Sequence, residues 1–342
     1  MDRYIEKGVL LIYNIKYIIG DLYDPYYNLA LEEYLLTHVK KGECILYLWQ
    51  NEKTVVIGRN QNPWKECKLQ ELEDFGGKLV RRLSGGGAVF HDLGNLNFTF
   101  LMNKDDYNLI KQQDVIVKAV NQLNIPAVIN GRNDITVEDR KFSGNAFYTD
   151  GVNAYHHGTI LVNVNMGDLS KYLNVSKDKL VSKGVASVKS RVVNLTEYDK
   201  SLTIDKMRKE IMKAFESVYG LVAEEMDMSI IAEEDLMLRR NRFSSWEWNY
   251  GKKLDFDYII EERFSWGNVE VLLKVDKGII KEGKVYSDSL DTDYISRLSQ
   301  SLSGCRFSSE DIIKRIEEIE IRNELQHQIV KDVIALFKRE GI

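Results

Sequence analysis

Three consecutive glycines between two strand-like segments constrain the fold of this chain more than any other feature. They lie in RRLSGGGAVFHD, residues 81–92, where segments 79–82 and 88–90 both have strand character. Residues without a Cβ allow positive φ angles and let an anionic ligand approach the backbone N–H groups. The segment lacks the ending of a Walker A motif and the following helix of a dinucleotide fingerprint. A plain hairpin turn needs fewer glycines and no arginine pair, so we interpret the loop as a ligand-binding segment.

A second group of candidate residues lies in NGRNDI, residues 130–135, and RKFSGNA, residues 140–146. The Asn-Gly pair predicts a turn, and a hairpin across 138–140 would return Lys141 beside the short strand 135–137. A lysine after a charged turn is ordinarily a solvated surface residue. The small residues that follow, Ser143 and Gly144, would let a ligand lie against the strand. Lys141 is therefore a candidate site residue.

Two further segments carry polar groups of interest. His156 and His157 are adjacent on a predicted strand, so they point to opposite faces and are unsuited to chelating one ion. We expect one of them to form hydrogen bonds within the site or the core. Segment 176–191, SKDKLVSKGVASVKSR, has five basic residues and one acidic residue. A solvated helix is one interpretation, but its serines and glycine favour a mobile loop that closes on an anion.

The pattern along the chain predicts two domains, 1–249 and 255–342, joined by the polar stretch YGKKLD. In the first, segments 46–49 and 54–57 are predicted to pair as strands across a polar turn. Leu96, Phe98 and Phe100 alternate as one face of a strand, and Thr203 is a predicted cap of a helix near 204–218. In the second, a strand meander precedes two helices, 291–302 and 310–321.

Composition excludes several classes of protein. The chain has 47 Lys+Arg and 52 Asp+Glu, a net charge of −5, which argues against general nucleic-acid or membrane-surface binding. Its three cysteines are far apart and form no C-x-x-C pair, so neither a disulfide framework nor a zinc knuckle is expected. No run of 18 uncharged apolar residues occurs. We expect a cytoplasmic monomer.

Several blocks together resemble the lipoate-protein ligase A family. They are RRLSGGGAVFHDLGNLNFTF, GRNDI with DRKFSGNA, HHGTILVN and KGVASVKSRVVNLTE, supported by YDPYYNLALEEYL, VVIGRNQNPWKEC and SSWEWNYG. The resemblance covers nearly the whole chain in the family's order. It implies an α+β fold: a mixed β-sheet catalytic domain of the biotin/lipoate ligase type, followed by a small α+β C-terminal accessory domain.

The resemblance also implies an activity. Lipoate and ATP with Mg²⁺ would form lipoyl-AMP and pyrophosphate, and the lipoyl group would then pass to a lysine of a lipoyl domain. The implied partners are lipoyl domains of 2-oxoacid dehydrogenase E2 subunits and the glycine-cleavage H protein. Because two anions approach each other and charge builds on phosphorus oxygens, fixed cations and amide dipoles suit this chemistry.

Roles for individual residues follow from the same resemblance. Lys141 is the implied catalytic residue, contacting the acyl carbonyl and the phosphate, and Asp134 is a candidate Mg²⁺ ligand. The implied substrate- and nucleotide-binding residues are Arg82, Ser84, Gly85, Gly86, Gly87, Ala88, Val89, Phe90, His91, Asn133, Lys141, Lys183 and Gly184.

Two other functions stay open from the sequence. One is an octanoyl or lipoyl transferase that acts without ATP, through a cysteine nucleophile or a preformed adenylate. None of the three cysteines lies in the blocks that would build the acyl site. The other is a non-catalytic lipoate-binding protein, against which the presence of Lys141, Arg82 and all three loop glycines argues.

Overall fold

The computed structural model describes residues 5–6, 9–10, 12–131, 134–173, 192–250 and 257–341. The chain divides into two compact units. The first consists of Met1–Val56, Cys67–Val80 and Val89–Asn249; the second consists of Ile57–Glu66, Arg81–Ala88 and Tyr250–Ile342. The glycine loop, residues 81–88, is therefore part of the second unit.

The first unit contains a mixed sheet. A short N-terminal strand pair and a smaller three-stranded sheet accompany it. The described strands of all three are, in chain order, β1 Ile5–Glu6, β2 Val9–Leu10, β3 Asn14–Ile19, β4 Glu43–Trp49, β5 Thr54–Ile57, β6 Lys78–Arg81, β7 Val89–His91, β8 Asn95–Asn103, β9 Ala127–Asn130, β10 Asp134–Val137, β11 Arg140–Thr149, β12 Asn153–Leu161 and β13 Glu224–Glu225. Among these, eight strands form one sheet in the order β13-β3-β4-β8-β12-β11-β10-β9. The β13–β3 and β3–β4 pairs are parallel, and the other pairs are antiparallel. The mixed-sheet α+β fold is confirmed.

Several helices alternate with these strands along the chain. Those described outside the C-terminal region are α1 Pro25–His38, α2 Pro63–Glu66, α3 Leu69–Asp74, α4 Leu109–Asn121, α5 Met166–Tyr172, α6 Ile204–Tyr219, α7 Glu233–Ser244 and α8 Trp246–Asn249. The main core lies on the face that meets α4 and α6, where Leu96, Phe98 and Phe100 are fully buried, as their alternation predicted. The opposite face packs against α1 over β4, β8 and β12.

Local sequence explains where α6 begins and ends. The Thr203 hydroxyl accepts a hydrogen bond from the Lys206 N–H at 3.2 Å, which confirms the predicted cap. Met207, Ile211 and Phe215 recur at helical spacing and are fully buried against the sheet. Gly220 adopts a left-handed conformation, φ 69°, and stops the helix.

The predicted pairing of segments 46–49 and 54–57 is wrong, although both are strands. Strand β4 is already paired with β3 on one side and β8 on the other, so it has no free edge. Strand β5 instead lies between β6 and β7 in a separate three-stranded sheet. The glycine loop thus connects two strands on opposite sides of β5, which explains why it is longer than a hairpin turn.

The second unit has its own sheet and core. It contains strands β14 Tyr258–Phe264, β15 Gly267–Asp276 and β16 Ile279–Ser287, and helices α9 Thr292–Ser301, α10 Ser309–Glu317 and α11 Glu324–Glu340. The strands form an antiparallel meander, and the helices contribute Leu298, Ile312 and Phe337 to the core. The α+β accessory domain is confirmed.

Candidate functional site

One row of residues crosses the large sheet on the face that α1 covers. In the strand register Trp49 lies opposite Asn97, Asn97 opposite Thr159, and Gly144 opposite Asp134. The Gly144 N–H lies 3.3 Å from the Thr159 hydroxyl, which joins the two halves of the row. Adjacent strands are about 4.8 Å apart, so the row runs across five strands as a continuous floor of mostly small or polar side chains.

Lys141 lies on this floor. The register of β10 and β11 shifts between Ile135 and Thr136, which re-aims the side chain. Its Nζ is 2.7 Å from Asp134 Oδ1, and about a third of each side chain is exposed. A Cβ at Gly144 would lie 2.8 Å from this Nζ, so the glycine leaves room for the lysine to lie over the strand, and a larger residue would displace the end of the lysine side chain. The predicted hairpin is confirmed, and it brings Lys141 and Asp134 together.

A buried polar chain continues along the same face. His157 Nδ1 lies 2.8 Å from Glu32 Oε1, a carboxylate oxygen that also accepts a hydrogen bond from the Thr99 hydroxyl at 2.7 Å. Trp49 Nε1 donates to that hydroxyl at 3.0 Å. These contacts fix the indole, the imidazole and the carboxylate in one arrangement.

Sequence reasoning missed Glu32, Thr99 and Trp49 as site residues. Glu32 is only 1% exposed, and it lies among the buried apolar residues of α1. A carboxylate within that stretch is rarely buried unless it is paired, so YNLALEEYL did contain a signal. It was not recognised because the partner, His157, is 125 residues away in the chain.

His156 faces the other side of the sheet, as the alternation of strand side chains predicted. Its ring is fully buried beside Phe98, Phe100 and Phe147, and Nε2 lies 2.8 Å from Asn145 Oδ1. Burial, followed by repulsion from His157, lowers the pKa of His156 to about 3. His156 is therefore a neutral core residue, and His157 is the histidine that belongs to the site face.

The glycine loop of the second unit is organised by its own arginines. Arg82 Nε donates to Ser84 Oγ at 3.0 Å, and Arg82 Nη2 donates to the carbonyls of Gly85 and Gly87 at 2.6 and 2.9 Å. Arg81 donates to the carbonyls of residues 58, 59 and 61, and burial lowers its pKa to about 10. Both guanidinium groups therefore stabilise the backbone conformation through hydrogen bonds to its carbonyls.

The three glycines of the loop have different constraints. A Cβ at Gly85 would lie 2.3 Å from the Ser289 carbonyl oxygen, and Gly86 has φ +89°. Both positions therefore require glycine for the loop to keep its shape. A Cβ at Gly87 would meet nothing within 4 Å. Packing does not explain the third glycine, whereas access of a ligand to the backbone would.

The other predicted site residues divide into two groups. One group is β7 of the first unit, which consists of Val89, Phe90 and His91. The Phe90 side chain is buried, and its ring centroid is 5.4 Å from that of Tyr172. The ring centroid of His91 is 6.4 Å from that of Trp49. Asn133, Lys183 and Gly184, with the rest of segment 176–191, lie outside the described residues.

No cysteine in the chain offers a ready thiolate. Cys44, Cys67 and Cys305 are all buried and free. Burial raises the pKa of both Cys44 and Cys67 to about 12, and it also raises the pKa of Cys305. A thiol is a nucleophile only after deprotonation, so none of the three is suited to form an acyl-thioester.

The described residues contain neither a metal cluster nor a membrane span. Among them, no three His, Cys, Asp or Glu side chains are grouped so as to hold a metal ion. None of their helices is long and apolar enough to span a bilayer.

Comparison with solved structures shows the same fold in other proteins. LipL1 of P. falciparum, in complex with lipoate, is 31% identical; the match covers 94% of this chain and all of that chain, with a TM-score of 0.83. A bi-partite lipoate protein ligase from Thermoplasma acidophilum, studied with its E2 lipoyl domain, is 26% identical over 72% of this chain and all of that chain, with a TM-score of 0.62. A lipoate-protein ligase A bound with ATP is 25% identical over 70% of this chain and 98% of that chain, with a TM-score of 0.58.

Family models match both parts of the sequence. The model of the lipoyl protein ligase A/B catalytic domain matches residues 24–216, and that of the bacterial lipoate protein ligase C-terminus matches residues 253–337. The first match includes the hairpin of Lys141 and the polar chain of Glu32 and His157. The chain therefore belongs to the lipoyl protein ligase A/B family of lipoate ligases and transferases.

Proposed function

We propose that the protein is an ATP-dependent lipoate-protein ligase that forms lipoyl-AMP and then transfers the lipoyl group to a protein lysine. The observation that carries the proposal is the ammonium of Lys141, which lies over Gly144 and beside Asp134 on the floor of the first unit. Residues 1–249 would form the catalytic domain and residues 255–342 the accessory domain. The lipoate and ATP complexes of the relatives support the choice of substrates.

The proposed first step joins two anions. A lipoate carboxylate oxygen attacks the α-phosphorus of ATP, a new P–O bond forms, and the bond to the pyrophosphate leaving group breaks. Negative charge increases on the phosphorus oxygens, and a fixed ammonium stabilises it more in the transition state than in the ground state. Lys141 would contact both the acyl carbonyl and the α-phosphate, while Asp134 holds the ammonium in place.

Asp134 is also the carboxylate that we propose for Mg²⁺. This ion commonly takes one or two carboxylates and completes its coordination with phosphate oxygens and water. A partly exposed carboxylate beside the proposed phosphate position fits this donor set. When bound, the ion would neutralise phosphate charge.

The glycine loop would contribute backbone N–H groups to nucleotide binding. Gly87 and Ala88 are the loop residues for which we propose direct contact, because Arg82, Ser84, Gly85 and Gly86 are used in building the loop. Asn133, Lys183 and Gly184 are proposed to complete the binding residues by resemblance to the family.

The lipoyl acceptors are proposed to be lipoyl domains of 2-oxoacid dehydrogenase E2 subunits and the glycine-cleavage H protein. The archaeal relative studied with its E2 lipoyl domain supports the first of these. In the second step the acceptor lysine amine attacks the acyl carbonyl, an amide bond forms, and AMP leaves. Free buried cysteines suit a cytoplasmic location, which we also propose.

Lipoate-dependent exchange between ATP and pyrophosphate tests the proposal. A ligase exchanges labelled pyrophosphate into ATP only when lipoate and Mg²⁺ are both present. A transferase that accepts a preformed adenylate would show no exchange, yet it would modify a lipoyl domain when supplied with synthetic lipoyl-AMP. Neither exchange nor transfer would indicate a non-catalytic lipoate-binding protein.

A further inference from the structure

The turn that precedes Lys141 has a backbone conformation that its residues do not favour. Val137 pairs with Arg140, so the β10–β11 hairpin turns through Glu138 and Asp139 alone. Both residues have positive φ angles, 50° and 61°. A two-residue turn of this kind ordinarily has glycine at its second position and asparagine, aspartate or glycine at its first, because a Cβ makes positive φ costly. Contacts outside the turn must therefore hold it in shape.

A group of four side chains supplies such contacts; we call Glu138, Arg140, Glu197 and Tyr198 the Tyr198 cluster. The Tyr198 hydroxyl donates to Glu138 Oε2 at 3.0 Å and accepts from Arg140 Nη2 at 2.9 Å. Arg140 Nη1 donates to Glu197 Oε2 at 2.8 Å. One hydroxyl thus joins a residue of the turn to the residue that directly follows the turn, through hydrogen bonds to charged groups.

The segment that carries Tyr198 is anchored in the first unit. Val193 and Leu195 are fully buried in the main core. Asn194 forms two hydrogen bonds with the backbone of Val164: it accepts from the N–H at 2.9 Å and donates to the carbonyl oxygen at 2.8 Å. The Tyr198 hydroxyl therefore ties an exposed turn to a segment whose position is fixed by the core.

Lys141 lies between this turn and a β-bulge. The register shift leaves one extra residue, Phe142, between Lys141 and Ser143, and the Phe142 side chain is fully buried. The Lys141 carbonyl oxygen accepts a hydrogen bond from the Val193 N–H at 3.0 Å. Because the bulge is fixed by the core, the turn is the adjoining part of the hairpin that can relax. A rotation of the backbone there would move the Lys141 ammonium away from its place over Gly144.

We infer that Tyr198 is a positioning residue that holds the strained turn and, through the turn, the ammonium of Lys141. The inference rests on the proposed function, in which this ammonium stabilises the transition state of adenylation. Tyr198 and Arg140 would act only by placing Lys141 and would not contact the substrates. A displacement of about 1 Å at a reacting group can cost about 10² in rate. Loss of the Tyr198 cluster should therefore slow adenylation without weakening substrate binding.

Two measurements on Tyr198→Phe in the full chain test the inference. The substitution keeps the ring and removes the hydroxyl that joins Glu138 to Arg140. In lipoate-dependent pyrophosphate exchange, kcat should fall about tenfold to 10², whereas the KM values for lipoate and ATP should stay within about twofold. A crystal structure of the variant should show a turn that has lost at least one positive φ angle and an ammonium displaced from Asp134.

A turn sequence that needs no support separates positioning from a general structural role. Asn-Gly adopts positive φ at both positions readily. Glu138→Asn with Asp139→Gly should therefore restore both kcat and the place of the ammonium in the Tyr198→Phe protein. Arg140→Lys is the second variant, because lysine keeps the charge but lacks the fork that reaches Tyr198 and Glu197 together. It should lose kcat in the same way and regain it with the same turn.

The control is Tyr258→Phe, which removes another hydroxyl that donates to a carboxylate, Glu340 Oε2 at 2.9 Å in the second unit. It should leave exchange unchanged. An unaltered turn and ammonium in the Tyr198→Phe structure would overturn the inference. So would a loss of kcat that the Asn-Gly turn does not restore in either variant. The structure is read without activity, so a displaced ammonium together with no exchange by the wild type would identify a failure of the proposed function and leave the positioning role of Tyr198 intact.

Discussion

The glycine loop and the Lys141 hairpin use charge in opposite ways. In the loop, Arg81 and Arg82 are buried, and their N–H groups are directed at backbone carbonyls of their own unit. In the hairpin, Lys141 is about a third exposed, and its ammonium is paired with the side chain of Asp134. A cation directed at the backbone stabilises a loop shape, whereas a partly exposed ammonium lying over a glycine is placed to meet an anion. The glycine loop is thus the easier of the two to recognise in the sequence, whereas the hairpin carries the cation that an anionic ligand could reach.

Removal of the hairpin cation should have the largest effect. We expect Lys141→Ala to fold normally and to lower lipoate adenylation by about 10²–10³, because one stabilising contact to the transition-state charge is lost. Pyrophosphate exchange measures the loss, and thermal unfolding checks the fold. The exposed Lys209→Ala is the matched control and should keep full activity. A tenfold or smaller loss in Lys141→Ala would mean that the lysine is a surface residue.

Gly85→Ala tests whether the first loop glycine is structural. Its Cβ would lie 2.3 Å from a backbone oxygen of Ser289, so the loop or its neighbour must move. We expect the free energy of unfolding to fall by about 1–3 kcal/mol, the usual cost of overpacking, as measured by denaturant titration. An unchanged midpoint would show that the loop adapts freely and that its shape is not fixed by this contact.

A pH titration of stability tests the assignment of His156 to the core. Its pKa is about 3 in the folded protein, whereas an ordinary histidine has a pKa of 6.5, so between these values the unfolded chain binds the extra proton. Stability should therefore fall as the pH falls below 6.5, and His156 should account for about 2 kcal/mol between pH 7 and pH 5. Denaturant titrations of the wild type and of His156→Gln at both pH values measure this difference. Equal pH dependence in the two proteins would place His156 in a solvated position.

Gly87→Ala should have the smallest effect and should act on binding alone. No atom lies within 4 Å of the added Cβ, so the unfolding midpoint should match that of the wild type. The added methyl group would hinder approach of a phosphate to the backbone, and we expect the KM for ATP to rise about threefold to tenfold. Comparison with Gly85→Ala separates the two roles: one variant should lose stability, and the other should lose nucleotide affinity. If the KM for ATP stays the same, Gly87 has no part in nucleotide binding.

Local patterns predicted the elements that depend on nearby residues. The Thr203 cap, the strand of Leu96, Phe98 and Phe100, and the hairpin before Lys141 all involve short sequence separations, and all are confirmed. Strand pairing was harder: β4 and β5 are neighbours in the chain but belong to different sheets, because β4 is already paired on both sides.

The candidate site shows the same difference between contacts that are local in the sequence and contacts that are distant. Lys141 and Asp134 could be found because the residues between them form one tight hairpin. The chain from Trp49 through Thr99 to Glu32 and His157 joins α1 to three strands of the large sheet, so no window of sequence contains it. The structural constraint on Gly85 also depends on a distant neighbour, Ser289, whereas a Cβ at Gly87 would meet nothing within 4 Å.

A crystal structure of the protein with a non-hydrolysable lipoyl-AMP analogue tests the central claim most directly. We expect Lys141 Nζ to lie within hydrogen-bond distance of both the acyl carbonyl oxygen and a phosphate oxygen of the analogue, with the acyl tail extending over Thr159 and Asn97 toward Trp49. An analogue bound elsewhere, with the ammonium still paired to Asp134 alone, would contradict the account.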